Sequence, residues 1–225
     1  MRERRAGTGP GTVDHPLFAR LYARLGAAAG RGGFGELRRE LLDGLSGRIV
    51  EVGAGNGLNF PHYPAAVSGV VAVEPDRVLR RLAAREAPGV RTPVDVVAGT
   101  AEALPLGDGA FDGAVVSLVL CSVRDVRGSL AELRRVLRPG GELRFLEHGL
   151  APGRVAAAVQ RGVDATVWPR LFGGCHTARD PLAGIGAAGF EVVTYRRLRI
   201  PERGVPLPAS PIVLGVARRL PSGAA

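Results

Sequence analysis

Residues 48–74, RIVEVGAGNGLNFPHYPAAVSGVVAVE, decide the fold. An apolar run from Arg48 to Val52 ends in three alternating glycines, Gly53, Gly55 and Gly57, and a second apolar run from Gly69 to Val73 ends in Glu74. This reads as strand, glycine-rich turn, short irregular segment and strand. Glycines at such a turn remove Cβ atoms and let backbone N–H groups approach a bound ligand. A carboxylate closing the next strand suits a ribose, because an ionised carboxylate only accepts and can take two O–H donors.

The dinucleotide fingerprint is G-x-G-x-x-G. Here the spacing is G-x-G-x-G, with Leu58 where that motif wants its third glycine. Pro61 and Pro64 interrupt the helix that would present its N-terminus to a pyrophosphate. Glu51 adds negative charge beside the turn, which disfavours a pyrophosphate and favours a cationic amino acid or a sulfonium.

The flanking chain reads as one α/β unit. Residues 1–13 are expected to be a disordered tail, followed by a single domain over 14–220. Its first helix starts at Asp14, with Phe18 and Tyr22 as core or lid residues. Its second carries Leu37, Leu41, Leu42 and Leu45 on one face and Arg38 and Arg39 on the other, and ends at Gly47. Past Glu74 come a helix over Arg77–Glu86, a strand over Asp95–Ala98 and a long apolar strand over Gly113–Leu120. The next helix has Leu130, Leu133, Val136 and Leu137 inward and Arg134, Arg135 and Arg138 outward; Pro139-Gly140-Gly141 stops it, and Glu142–Leu146 forms the fifth strand. Near-continuous apolar strands separated by helices imply a parallel sheet covered on both faces. In the last third, Arg154–Trp168 reads as a helix with Val155, Val159 and Val163 inward, and Asp180–Ala188 as a short helix. Phe190–Ile200 reads as a strand with one wet side (Val193, Tyr195, Leu198 and Ile200 apolar), and Ile212–Ala217 as the antiparallel last strand.

Composition narrows the function classes. The net charge is +9 and every basic residue other than histidine is arginine, spread over several helices. No basic platform interleaved with aromatics appears, so nucleic acid is not the expected partner. No apolar run reaches about eighteen residues, so no transmembrane helix is expected. The basic start lacks the apolar stretch of a signal peptide, and the expected location is the cytoplasm, with at most a weak peripheral membrane contact. Cys121 and Cys175 have no C-x-x-C spacing, and His15, His62, His148 and His176 form no metal-binding motif, so no metal is expected.

EVGAGNG at 51–57, the acidic residue at 74, AEALP at 101–105 with FD at 111–112, and LRPGG at 137–141, in this order, resemble the class I S-adenosylmethionine-dependent methyltransferases. The resemblance spans 48–148 and implies a Rossmann-like, doubly wound seven-stranded sheet, mostly parallel with an antiparallel C-terminal strand. Residues 14–47 then supply N-terminal helices, 48–148 the cofactor-binding core and 149–220 the substrate-side elements. It also implies S-adenosyl-L-methionine as cofactor. Glu51, Gly53, Ala54, Gly55 and Gly57 would hold the methionine part and ribose, and Glu74 and Pro75 the ribose hydroxyls. Thr100, Ala101 and Glu102 would flank adenine, and Ser117 and Leu118 would lie under the methyl group. The family usually has Asp where Thr100 stands, so the contact to the adenine amino group is either weaker or moves to backbone and Glu102.

LVLCSVRDV at 118–126, FLEHG at 145–149 and Trp168, Pro169, Gly174, Cys175 and Arg179 resemble the thiol S-methyltransferase-like branch. That implies a small, apolar acceptor and S-methylation. The animal members open with an apolar anchoring segment that this sequence does not show. A thiol is partly ionised near neutrality and asks little of a base. His148 is the candidate base, or a structural histidine under a loop; Arg179 either neutralises an acceptor or sits at a helix start. Two alternatives stay open: C- or O-methylation of a quinone-like or polyketide-like molecule, and an NAD-dependent oxidoreductase.

Overall fold

The computed structural model describes residues 34–166, 168–202 and 205–221. The tail over 1–13 and the helix expected from Asp14 lie outside them. The elements in chain order are α1 (Gly35–Leu42), β1 (Gly47–Val52), β2 (Val67–Val73), α2 (Arg77–Glu86), β3 (Val94–Val97), β4 (Phe111–Ser117), α3 (Val126–Val136), β5 (Leu137–His148), α4 (Arg154–Asp164), α5 (Trp168–Leu171), α6 (Pro181–Ala187), β6 (Phe190–Arg199) and β7 (Pro211–Arg219). The seven strands form one sheet in the order β3-β2-β1-β4-β5-β7-β6. Strands β1 to β5 pair in parallel, and β7 runs against both β5 and β6. This is the expected Rossmann-like, mostly parallel α/β sheet. The order reverses between β1 and β4, which puts a crevice beyond the carboxyl ends of these strands.

Period-two alternation splits each central strand between two cores. Val50, Val52, Val71, Val73, Ala114 and Val116 face Leu130, Leu133 and Val136 of α3 and Ile185 of α6. Ile49, Val70, Ala72 and Val115 face Leu41 and Leu42 of α1, together with Leu45 and Phe60. Fully burying each such side chain contributes roughly 1.5–3 kcal/mol, so a strand apolar on both faces is held only where helices cover both. Helix starts follow side-chain caps: the Asp76 carboxylate accepts from the N–H groups of Val78 and Leu79, Asp125 from Gly128, and Asp180 from Ala183.

Several expectations change. Arg38 is buried, not on the wet face, and donates to Asn59 Oδ1 at 2.6 Å. Arg135 does not simply face water: it pairs with Glu132 and donates to the carbonyls of Leu104 and Leu106. LRPGG does not separate helix from strand. α3 ends at Val136 and β5 begins at once, with Gly140 at φ 78 inside a register shift against β4. Strand β4 ends at Ser117, three residues early, because Leu118 turns to φ 59.

Helix α4 is turned the other way from the valine stripe. Val155 and Val159 are 80% and 54% exposed, while Ala157 and Gln160 are buried. The Gln160 amide explains the orientation: its two N–H groups are shared among the carbonyls of Gly149, Thr177 and Pro208, and its oxygen accepts from Ala151 N–H. Four backbone groups from three loops would lose their partner if the valines faced in. In β6 a bulge between Val192 and Thr194 shifts the alternation, and Val193 and Tyr195 end up exposed. Among the described residues β6 is an edge strand, with a neighbour on one side only.

Candidate functional site

The glycine turn leaves β1 at the carboxyl edge. Gly53, Gly55 and Gly57 all have positive φ, at 70°, 58° and 84°. Two of them are required by the protein itself. A Cβ at Gly53 would stand 2.5 Å from Val119 Cγ2, and one at Gly57 would stand 2.7 Å from the Phe60 ring. Gly53 and Gly57 thus clear space for Val119 and Phe60 within the protein. Gly55 N–H donates to Glu74 Oε2 at 2.7 Å, and Asp76 N–H to Glu74 Oε1 at 2.9 Å. Turn and strand end are thereby locked together. Burial pushes the Glu74 carboxyl up to about 7, against the lowering effect of these two N–H groups.

Glu51 lies on the strand that leads into the turn, and each of its carboxylate oxygens accepts one hydrogen bond. It accepts from Asn59 Nδ2 and from the Tyr63 hydroxyl, each at 2.8 Å, and Arg38 holds Asn59 from the other side. Glu51 thus anchors the segment after the glycine turn, and each of its ionised oxygens keeps a second lone pair. Asn59 and Tyr63 were missed because nothing in their spacing pairs them with a residue eight or twelve positions earlier. Burial pushes Glu51 up to about 7. Its folded pKa thus lies above that of an exposed glutamate, and its contribution to stability falls as pH rises from about 4.5 to about 7. Glu51→Gln, which keeps one acceptor and cannot ionise, should reduce the loss of stability between pH 5 and pH 8 by an amount on the order of 3 kcal/mol. Denaturant midpoints at the two pH values measure this; parallel losses in variant and wild type would refute it.

The floor of the crevice is the β4–α3 loop. Glu147, at the end of β5, is fully buried and accepts from the N–H groups of Val119 (2.8 Å), Leu120 (3.0 Å) and Cys121 (3.3 Å). Arg179 donates to the carbonyls of Leu120 (2.5 Å) and Val123 (2.8 Å). Arg179 therefore braces this loop, which neither of its expected roles included. Glu102 accepts from Arg124 N–H at 3.0 Å, so its carboxylate ties the loop after β3 to this floor. Thr100 bridges to Ala103, and Ala101 is buried against the core. The signal for Glu147 was present, a carboxylate inside the apolar run FLEH, but its partners lie 26–28 residues away.

Beyond the floor, one donor atom each from Cys121, His148 and Cys175 lie within 4.8 Å of one another. Hydrogen bonding to Cys121, then His148, pushes the Cys175 thiol down to about 5 despite burial; Cys175 in turn, and burial, push Cys121 up. Burial alone would lower His148, but Cys175 and Glu147 outweigh it and raise it. A cavity of about 160 Å³ is lined by Leu120, Cys121, Val126, His148, Arg179 and Pro181, among others. The spacing along the chain concealed this cluster; the fold assembles it from the loop after β4, the end of β5 and the loop after α5.

The residues at this edge suit an adenosyl ligand. Each ionised oxygen of Glu74 accepts one backbone N–H and keeps a second lone pair for a hydroxyl. Asn56 Oδ1 in the turn and Ser117 Oγ at the end of β4 are buried with no partner among the described residues. Unpaired buried polar atoms are costly and call for a ligand or water.

Residues 50–145 match the Methyltransf_11 family, described as a methyltransferase domain. The chain is 33% identical to the thiol S-methyltransferase TMT1B of Homo sapiens over 181 residues, covering 78% of this chain and 73% of that protein. A demethylmenaquinone methyltransferase from Renibacterium salmoninarum is 34% identical over 110 residues, 47% of this chain and 45% of that protein. Among solved structures, the YcgJ protein from Bacillus subtilis shares the fold with a TM-score of 0.64 at 17% identity, covering 85% of this chain and 100% of that one. The chain belongs to the class I S-adenosylmethionine-dependent methyltransferases, related to the thiol S-methyltransferases, and is an enzyme that uses S-adenosyl-L-methionine to methylate a small molecule.

Proposed function

We propose that this enzyme S-methylates small apolar thiols. The observation that carries the reading is the cavity beside the floor loop. Leu120, Val126 and Pro181 offer apolar walls; of its polar members, Arg179 is committed to the carbonyls of Leu120 and Val123 and Asp180 to the cap of α6, which leaves Cys121 and His148 on the sheet side. An apolar pocket with few polar groups suits a small lipophilic acceptor. The likeness to thiol S-methyltransferases over most of the chain supports sulfur as the acceptor atom.

Bound S-adenosylmethionine supplies a methyl group already activated by the sulfonium charge. The chain's residues then have three tasks. Glu74 accepts from the ribose hydroxyls, with Pro75 beside it, while Gly55 and its neighbours Gly53, Ala54 and Gly57 shape the turn under the methionine part. Thr100 and Ala101 flank the adenine, with Glu102 bracing from behind. Ser117 and Leu118 form the floor under the methyl group, and His148 takes the proton of an incoming thiol. In-line methyl transfer depends chiefly on orientation, which can contribute on the order of 7–11 kcal/mol, so a braced floor matters more than a strong base.

Transfer of labelled methyl groups to an alkyl thiol series, with phenols and a demethylated quinol as comparators, tests the reading. Thioether products, identified by mass spectrometry and formed at least about tenfold faster than ethers or C-methylated products, are expected. A dominant C-methylated quinol product would overturn the thiol reading in favour of the quinone-like acceptor.

A further inference from the structure

We propose that Cys121, His148 and Cys175 bind one zinc ion, through two thiolates and one imidazole nitrogen, with the fourth coordination position open to the cavity. The donor set is the first argument. Two sulfurs and one imidazole nitrogen are the ligands a tetrahedral zinc site takes, and three protein ligands with one open position define a catalytic rather than a structural site. Zinc–sulfur bonds of about 2.3 Å put two sulfurs roughly 3.8 Å apart in a tetrahedron. The donor atoms lie within 4.8 Å of one another, so side-chain rotation and a contraction of about 1 Å close the site.

Preorganisation is the second argument. The peptide groups around Cys121 are tied to the neighbours of both other ligands. Its N–H donates to Glu147, the residue before His148, and its carbonyl accepts at 2.7 Å from the N–H of His176, the residue after Cys175. Gly174, at φ 87, brings the second loop so close that a Cβ there would stand 3.0 Å from the Ser122 carbonyl oxygen. Three segments from distant parts of the chain are therefore held together by the Glu147 carboxylate and by backbone, and the ligands need little reorganisation.

An unpaired polar atom is the third. His148 Nδ1 is buried without a hydrogen bond of ordinary geometry among the described residues, and the imidazole lies beside the Cys175 thiol, the Glu147 carboxylate and the Ala209 backbone. Charge is consistent as well: two thiolates and a neutral imidazole around a divalent ion form an uncharged buried unit, which is far less costly than an isolated charge.

Cys121 and His148 both line the cavity, so the open position faces the space where the acceptor enters. This extends the thiol reading and rests on it for the role of the ion. An acceptor thiol at that position releases its proton to solvent on coordination. Its sulfur lone pair then forms the new S–CH₃ bond as the sulfonium's C–S bond breaks. His148 is in that case a ligand and not the base.

The experiment uses the full chain, stripped with a chelator under reducing conditions, then titrated with Zn²⁺ against a chromophoric competitor. Uptake of one equivalent is expected, and Co²⁺ in its place should give thiolate-to-metal charge-transfer absorption. Cys175→Ser and His148→Ala should each weaken zinc at least 10–100-fold, the loss that removing even a supporting residue brings. Circular dichroism reports whether each variant is folded, and the shape-conserving Cys121→Ser gives a third, independent removal. No uptake by the wild type, affinity unchanged in folded variants, or a Cys121–Cys175 disulfide formed in preference to zinc binding would each overturn the site. One equivalent of zinc in a protein that methylates no thiol would support the site and refute the thiol reading.

Discussion

Glu74→Ala should weaken S-adenosylhomocysteine binding by about 10²–10³-fold in isothermal titration calorimetry. The two oxygens of Glu74 hold the N–H groups of Gly55 and Asp76, and each retains a lone pair when ionised. Two ribose hydroxyls donating to them form charge-assisted hydrogen bonds of roughly 1.5–3 kcal/mol each. Their joint loss, taken near the lower end of that range at about 3–4 kcal/mol, corresponds to the stated factor at 1.4 kcal/mol per decade. The same site has a pH signature. Burial holds the carboxyl up to about 7, and the protonated form turns one acceptor into a donor. Wild-type affinity should therefore fall as pH is lowered from 8 to 6, and Glu74→Gln should be weaker at pH 8 with that dependence flattened. Full affinity in the alanine variant would remove Glu74 from the cofactor site.

Glu147→Ala should destabilise the fold by about 3 kcal/mol and loosen the floor. It leaves the N–H groups of Val119, Leu120 and Cys121 without their acceptor. Orphaned buried donors cost about 1–3 kcal/mol each. Burial also raises Glu147 to about 7, so removing the carboxyl returns part of that loss. For a chain of this size the net corresponds to a drop in Tm of roughly 6–12 °C. Glu147→Gln should fall between, since an amide has one oxygen to accept and an NH₂ group that faces a donor. Amide exchange at Val119–Cys121 should quicken in the alanine variant, and methyl transfer should slow with donor affinity largely kept. A midpoint within 0.5 kcal/mol of wild type, the range of an ordinary surface substitution, would mean that Glu147 does not brace the floor.

The frame of the site was legible because its signals are local. A strand, a turn of positive φ and an acid at the next strand end are written in 27 consecutive residues, and apolar strands between amphipathic helices imply a parallel sheet. Helix caps at Asp76, Asp125 and Asp180 are equally local. Where a reading went astray, a single distant partner usually decided the outcome. Val155 and Val159 make a good apolar stripe on α4, but Gln160 satisfies four backbone groups from other loops and turns that stripe outward. Arg38 looks like a wet-face residue until Asn59, 21 positions on, receives its guanidinium.

The sequence by itself determined the order of strands and helices, the glycine turn and Glu74, because backbone conformation and hydrophobic period are set by neighbours a few residues apart. Only the tertiary structure decided that Glu147 carries the floor loop, that Glu51 is committed to Asn59 and Tyr63, and that Cys121, His148 and Cys175 meet. Those contacts join groups eight to 54 positions apart. What aligns them is the parallel sheet, which brings the carboxyl ends of strands far apart in the chain to one edge and lays their loops against each other.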